Sequence, residues 1–167
     1  MRLRDGRQVR IRPTRTGDFR ALQELFYRMP EQDVHTRFFH LLTELDDVAA
    51  QTLVSVDYEH DMAFAAVVGP PEHERVVATS CYMAEVGGFA EVAYMVDPEW
   101  QGAGLASRLH ERMVEYARER NVRGFIADVL TDNRAMLHVL RRGDHDTRVT
   151  TSDGVHKVRM LFASGPA

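Results

Sequence analysis

The sequence predicts an α/β (α+β) domain in which about seven strands are interleaved with helices around one sheet. Three observations carry that reading. Some segments place apolar residues at helical spacing while others alternate them or run them together, so both kinds of element are present. The 167 residues fit one ordinary domain, expected to occupy 1–167. A composition of 44% hydrophobic and 28% charged residues is that of a globular chain with a substantial core. Cys81 is the single cysteine, so no disulfide framework supports that core.

Gln8-Val9-Arg10-Ile11-Arg12-Pro13 alternates polar and apolar residues and stops at a proline, the pattern of a half-buried opening strand. Thr16 or Asp18 is placed to cap the next segment, where Phe19, Leu22, Leu25, Phe26 and Met29 recur at helical spacing before Pro30. Two further apolar sets predict short helices, the first at Val34, Phe38, Leu41 and Leu42 and a weaker one at Val48, Ala49, Leu53 and Val54. Met62 to Val68 is the longest apolar run and is closed by Gly69-Pro70-Pro71, which suits a strand buried on both faces. Arg75 to Val86 reads as its hairpin partner. Phe89 to Val96, after the Gly87-Gly88 turn, makes a third strand in succession, and three such strands imply an antiparallel meander. The longest helical pattern starts after Trp100, sets Leu105, Leu109, Met113, Tyr116 and Ala117 opposite a charged face, and ends near Asn121. Gly124 to Leu130 is then a strand, and Asn133 caps a helix carrying Met136, Val139 and Leu140 that Gly143 closes. Thr147 to Thr151 and Val155 to Phe162 form a last hairpin across Ser152-Asp153-Gly154.

Net charge is −4, which speaks against broad affinity for nucleic acid or an anionic membrane surface. The apolar runs fall well short of the ~20 residues that cross a bilayer, and the amino terminus lacks a signal-peptide pattern, so a cytoplasmic protein is expected. No His-x-His or His-x-x-x-His spacing is present among the eight histidines, so no metal is expected. Cys81 is expected to be buried and inert, His35 and His40 to be partly buried or surface residues, and Trp100 to pack the strand-to-helix turn.

The stretch that carries chemistry is Gln101-Gly102-Ala103-Gly104-Leu105-Ala106, where a strand leaves the sheet and the longest helix begins. The first N–H groups of a helix have no internal partners, and the aligned peptide dipoles add positive potential there, so an anion is stabilised. Gly102 and Gly104 accept positive φ and carry no Cβ to collide with a diphosphate. Taken alone, the same pattern equally describes a small-residue turn that caps an ordinary helix.

The wider segment Val92 to Ala106, with Val96-Asp97-Pro98 followed by Gln101 and the two glycines, resembles the acyl-CoA-binding motif of the GNAT superfamily of N-acetyltransferases. The element order matches that superfamily from about Val9 to Phe162. Ile11-Arg12-Pro13 with Asp18, Arg37-Phe38-Phe39, Val56-Asp57-Tyr58, Ala90-Glu91-Val92-Ala93 and Asp132 to Leu137 look like the GNAT domains of bacterial protein-lysine acetyltransferases. The resemblance implies the GNAT fold, a mixed and mostly antiparallel sheet with helices on both faces. It also implies acetyl-CoA as acyl donor and a primary amine as acceptor, either a protein lysine or a small molecule, and a homodimer is left open.

Glu91 is the candidate general base. It lies in an otherwise apolar strand where burial is expected to raise its pKa, and the resemblance places a catalytic carboxylate there, although strict alternation would point it outward beside Ala93 and Met95. The resemblance further implies that peptide groups of Met95 and Val96 meet the thioester and pantetheine, that Gln101, Gly102, Ala103, Gly104, Leu105 and Ala106 hold the diphosphate, and that Ser107, Arg108 and Asn133 assist. An exposed face residue is the alternative for Arg108, and a plain N-cap for Asn133. Many relatives carry a Tyr seven residues after this Asn, to protonate the departing thiolate; Leu140 stands there here. Two functions follow: an N-acyltransferase, or a non-catalytic acyl-CoA sensor.

Overall fold

The computed structural model describes residues 1–30 and 45–163. Met62–Val68 forms β2, whose residues are all buried except Val68, because helices cover both of its faces. On one side Ala65, Val67, Val76 and Met95 pack on Leu22 and Leu25 of α1 (Phe19–Arg28) and Val54 of α2 (Asp47–Val54). On the other, Phe64, Tyr82, Tyr94 and Phe125 meet Leu105, Leu109 and Met113 of α3 (Leu105–Glu119). A strand covered on both faces has no polar side to show, which is why its sequence does not alternate.

Around β2 lie β1 (Arg10–Pro13), β3 (Arg75–Ala84) and β4 (Phe89–Val96), and the pairs β1/β2, β2/β3 and β3/β4 are antiparallel. The Gly87-Gly88 turn joins β3 to β4 with both glycines at positive φ. After α3 come β5 (Gly124–Leu130), α4 (Arg134–Leu140), β6 (His145–Ser152) and β7 (Val155–Phe162). The sheet order is β1-β2-β3-β4-β5-β7-β6, and β4 with β5 is its one parallel pair. Asp153 and Gly154, at φ 51 and 77, make the tight turn of the last hairpin. The fold is therefore the mixed, mostly antiparallel seven-stranded sheet flanked by helices that the resemblance implied.

Several local expectations are corrected. Asp18 does not cap α1 through its side chain: Arg12 draws the carboxylate back toward β1 with bonds of 2.8 and 2.9 Å, and Arg15 N–H donates to it at 2.7 Å. In α2, Val48 is 73% exposed, because the buried side of the helix carries Ala50, which packs with Phe26 and Leu45, and Val54, which packs on the sheet. Cys81 is only half-buried: it lies opposite Ala63 and Ala93, small residues on the part of the sheet beyond the α1–α2 contact. The helix expected around Val34 to Leu42, with His35 and His40, lies outside the described residues. Among the described residues, no helix is long and apolar enough to cross a membrane.

Candidate active site

β4 pairs with β3 along its whole length but with β5 only through Phe89↔Gly124, Ala90↔Phe125 and Glu91↔Ile126. Beyond Glu91 the two strands diverge. Gly124 allows the closed end of this wedge: a Cβ there would stand 1.9 Å from the Met160 carbonyl oxygen of β7. The open end is a cleft of about 550 Å³ between Val92–Val96 on one wall and Ala127–Val129 on the other, with α4 beside it. Peptide groups of β4 that would have met β5 therefore face the cleft without a strand partner.

At the top of the wedge the chain leaves β4 through Asp97, which is 1% exposed. Its carboxylate accepts from Arg28 at 2.7 Å, from Arg75 at 2.8 Å and from the Glu99 N–H at 3.1 Å. Burial pushes the Asp97 pKa up, but the hydrogen bonds from the two guanidinium groups more than offset it and hold the carboxyl below its usual range. From this post the turn runs to Gly102 (φ 74) and Gly104 (φ 87), and Gly104 is the N-cap of α3. Leu105, buried in the core, pins the first turn of the helix, so its unpaired N–H groups open into the cleft.

Gln101, Gly102, Gly104, Leu105, Ala106 and Ser107 all line this cleft, as do Val96 and Asn133. Asn133 is also an N-cap, its Oδ1 accepting from the Met136 N–H at 3.0 Å. Ala103 is instead buried beneath the turn, and the Met95 side chain packs on the α1 face, so neither lines the cleft. Arg108 points away from it. The next residue along α3 after Ser107 is rotated to the outer face, where Arg108 is exposed and bonds Glu111 at 2.9 Å.

The closed end presents carboxylates. Glu91 lines the cleft but is exposed, so the burial expected of it is absent: it shares the face of Ala93 and Cys81, beyond the helix-covered part of the sheet. Register places Asp128 on the same face, two residues after the Glu91 partner Ile126, and it too is exposed and lines the cleft. Among the described residues neither carboxylate has a hydrogen-bond or ion-pair partner. Leu140, where the resemblance would place a Tyr, is buried, and the exposed His138 reaches the cleft from α4. No group of three or more His, Cys, Asp or Glu among the described residues could hold a metal ion.

Sequence reasoning missed four features of this region. Asp128 carried a legible signal, an acid at an alternate position of an apolar strand. Arg4, which lines the cleft, carried none. His110 lies under the wall on α3, 1% exposed, with Nδ1 2.7 Å from the Tyr94 hydroxyl. The His145 ring stands 5.7 Å away, centroid to centroid, a neighbour no short spacing reveals. Burial, with a smaller contribution from His145, pushes the His110 pKa down to about 4, and burial raises Tyr94 well above its ordinary value.

Known proteins share this arrangement. The family model described as "Acetyltransferase (GNAT) domain" matches residues 8–144. A curated acetyltransferase of Pseudomonas aeruginosa is 32% identical over 135 residues, which cover 80% of this chain and 73% of that protein. The crystal structure of the GNAT domain of S. lividans PAT superposes with a TM-score of 0.86 at 29% identity, covering 96% of this chain and 95% of that one. A cAMP-binding acyltransferase from Mycobacterium smegmatis matches 98% of this chain but 47% of its own, with a TM-score of 0.66 and 25% identity. The family match takes in every element from β1 to α4, glycine turn and splayed strands included, and the chain belongs to the GNAT family of acetyltransferases.

Proposed function

We propose that residues 1–167 act as one acetyltransferase domain that moves an acetyl group from acetyl-CoA to a primary amine, on a protein lysine or a small molecule. The observation that carries this reading is the course of the cleft. It runs from an anion-binding helix terminus, along an unpaired strand edge, to two unpartnered carboxylates. Each part suits one part of the reaction. The N–H groups of Leu105, Ala106 and Ser107, with the Ser107 hydroxyl, suit a diphosphate. The β4 edge from Val92 to Val96 suits the amides of a pantetheine arm, which adds to the sheet as a strand would, and a backbone N–H at Met95 or Val96 suits the thioester oxygen as it gains charge.

The acceptor arrives as an ammonium. With an amine pKa of about 10.4, exposing the neutral nucleophile at pH 7 costs on the order of 4 to 5 kcal/mol. Glu91 takes that proton, directly or through water, and Asp128 on the neighbouring strand draws the cation to the same spot. The neutral amine nitrogen then bonds the carbonyl carbon, the carbon–sulfur bond breaks, the nitrogen sheds its second proton to water, and CoA leaves as thiolate. Leu140 supplies no proton to it, so water or His138 does.

Glu91→Gln tests the assignment. It is expected to keep its affinity for acetyl-CoA and to lose about 10²- to 10⁴-fold in kcat toward an amine, while Asp128→Asn acts mainly by raising KM for the amine. Wild-type turnover by Glu91→Gln across pH would remove Glu91 as the base. Tight binding of acetyl-CoA by the wild type, with no turnover on any amine, would leave a sensor in place of an enzyme.

A further inference from the structure

We infer that Arg4 is a ligand of the donor's diphosphate, carried to the glycine turn by a loop at the start of the chain; the inference rests on the acetyl-CoA reading above. Residues 1–9 form a closed loop. The Met1 ammonium donates to the Val9 carbonyl at 2.6 Å, Leu3 N–H to the Arg7 carbonyl at 2.8 Å, and Leu3 and Val9 are both buried in the core. The turn of this loop holds Arg4 and docks on the cleft. Arg4 N–H donates to the Ala103 carbonyl at 3.3 Å, and Arg7 lies over the Trp100 ring at 4.0 Å while donating to the Glu99 carbonyl at 2.8 Å.

The two arginines of the loop differ in their partners. Arg7 is satisfied by Asp5, Glu99 and Trp100. Arg4 is exposed, lines the cleft and has no side-chain hydrogen-bond or ion-pair partner among the described residues. Its guanidinium is nonetheless held close, with Nε 3.3 Å from where a Cβ on Gly104 would stand. That places a full positive charge over the positive end of α3, whose first N–H groups are unpaired. Two positive features facing each other across an open cleft repel unless an anion lies between them. An anion bridging the helix N–H groups and Arg4 satisfies both, and a diphosphate has the charge to do so. Arg108, which sequence reasoning assigned to this task, is engaged with Glu111 on the outer face. Arg4 precedes the family match, which begins at residue 8.

Calorimetric titration of the 167-residue wild type and Arg4→Ala with CoA and with 3′-dephospho-CoA, alongside urea unfolding of the unliganded proteins, tests the inference. Arg4→Ala is expected to raise Kd about tenfold for both nucleotides alike, and Arg4→Lys to restore part of the affinity. The urea midpoint without ligand should stay the same or rise, since an uncompensated cation is removed; a structural role would lower it. Unchanged Kd, or a loss confined to CoA and absent with dephospho-CoA, would overturn the assignment to the diphosphate. A wild type that binds neither nucleotide would instead overturn the donor reading itself.

Discussion

Three carboxylates near one cleft are held in opposite ways. Asp97, at the head of the donor wall, is 1% exposed and is held by Arg28, Arg75 and a backbone N–H. Glu91 and Asp128, at the closed end of the wedge, are exposed and have no partner among the described residues. A buried, fully bonded carboxylate has no capacity left for a substrate, and its free energy goes into geometry. An exposed, unpartnered one adds little to stability and keeps its lone pairs for an incoming cation. The donor wall is thus built by structure, and the acceptor end by groups the structure leaves unused.

The contrast can be broken most forcefully at Asp97. Asp97→Ala leaves Arg28 without its carboxylate and uncaps the turn, and should cost about 3 to 4 kcal/mol in urea unfolding. A smaller, pH-dependent effect is expected beneath the same wall. Unfolded His110 takes up a proton near its ordinary value of 6.5, but folded His110 does so only near 4. Between those limits unfolding binds a proton, so stability falls as pH drops from about 6.5 to 4, by up to about 3 kcal/mol. His110→Gln should flatten that part of the profile when unfolding midpoints are compared at pH 7, 5.5 and 4.5. Arg108→Ala is the smallest test. Loss of its exposed pair with Glu111 should cost no more than about 0.5 kcal/mol and leave Kd for CoA unchanged, in contrast to Arg4→Ala.

What could be read in advance divides along the same line. The continuous run of β2, the amphipathic stripe of α3 and the glycine turn before it depend on neighbours a few residues apart, and all three stand where the sequence puts them. The donor wall is made of such local features, so most of the residues expected there line the cleft. The misreadings involve competing partners, near or distant, that hydrophobic spacing does not reveal. Asp18 would cap α1 if Arg12 did not hold it; Arg108 turns outward to Glu111; Glu91 is exposed because the α1–α2 contact stops short of it. Arg4 meets Ala103 across almost a hundred residues, and His110 of α3 meets His145 at the start of β6, contacts that no periodicity encodes.

The divergence of β4 from β5 also bears on how long the protein survives. A gap inside a sheet leaves a line of backbone groups exposed to solvent exchange and offers an internal edge to any passing extended chain. A donor molecule lying in that gap closes it. Because only the native state offers the gap, a ligand at about one hundred times its Kd would add roughly 2.7 kcal/mol to global stability. Amide protons of Val92 to Val96 should then exchange slowly when donor is plentiful and fast when it is scarce. Resistance to proteolysis would follow the same supply, linking the abundance of the protein to the availability of its own substrate.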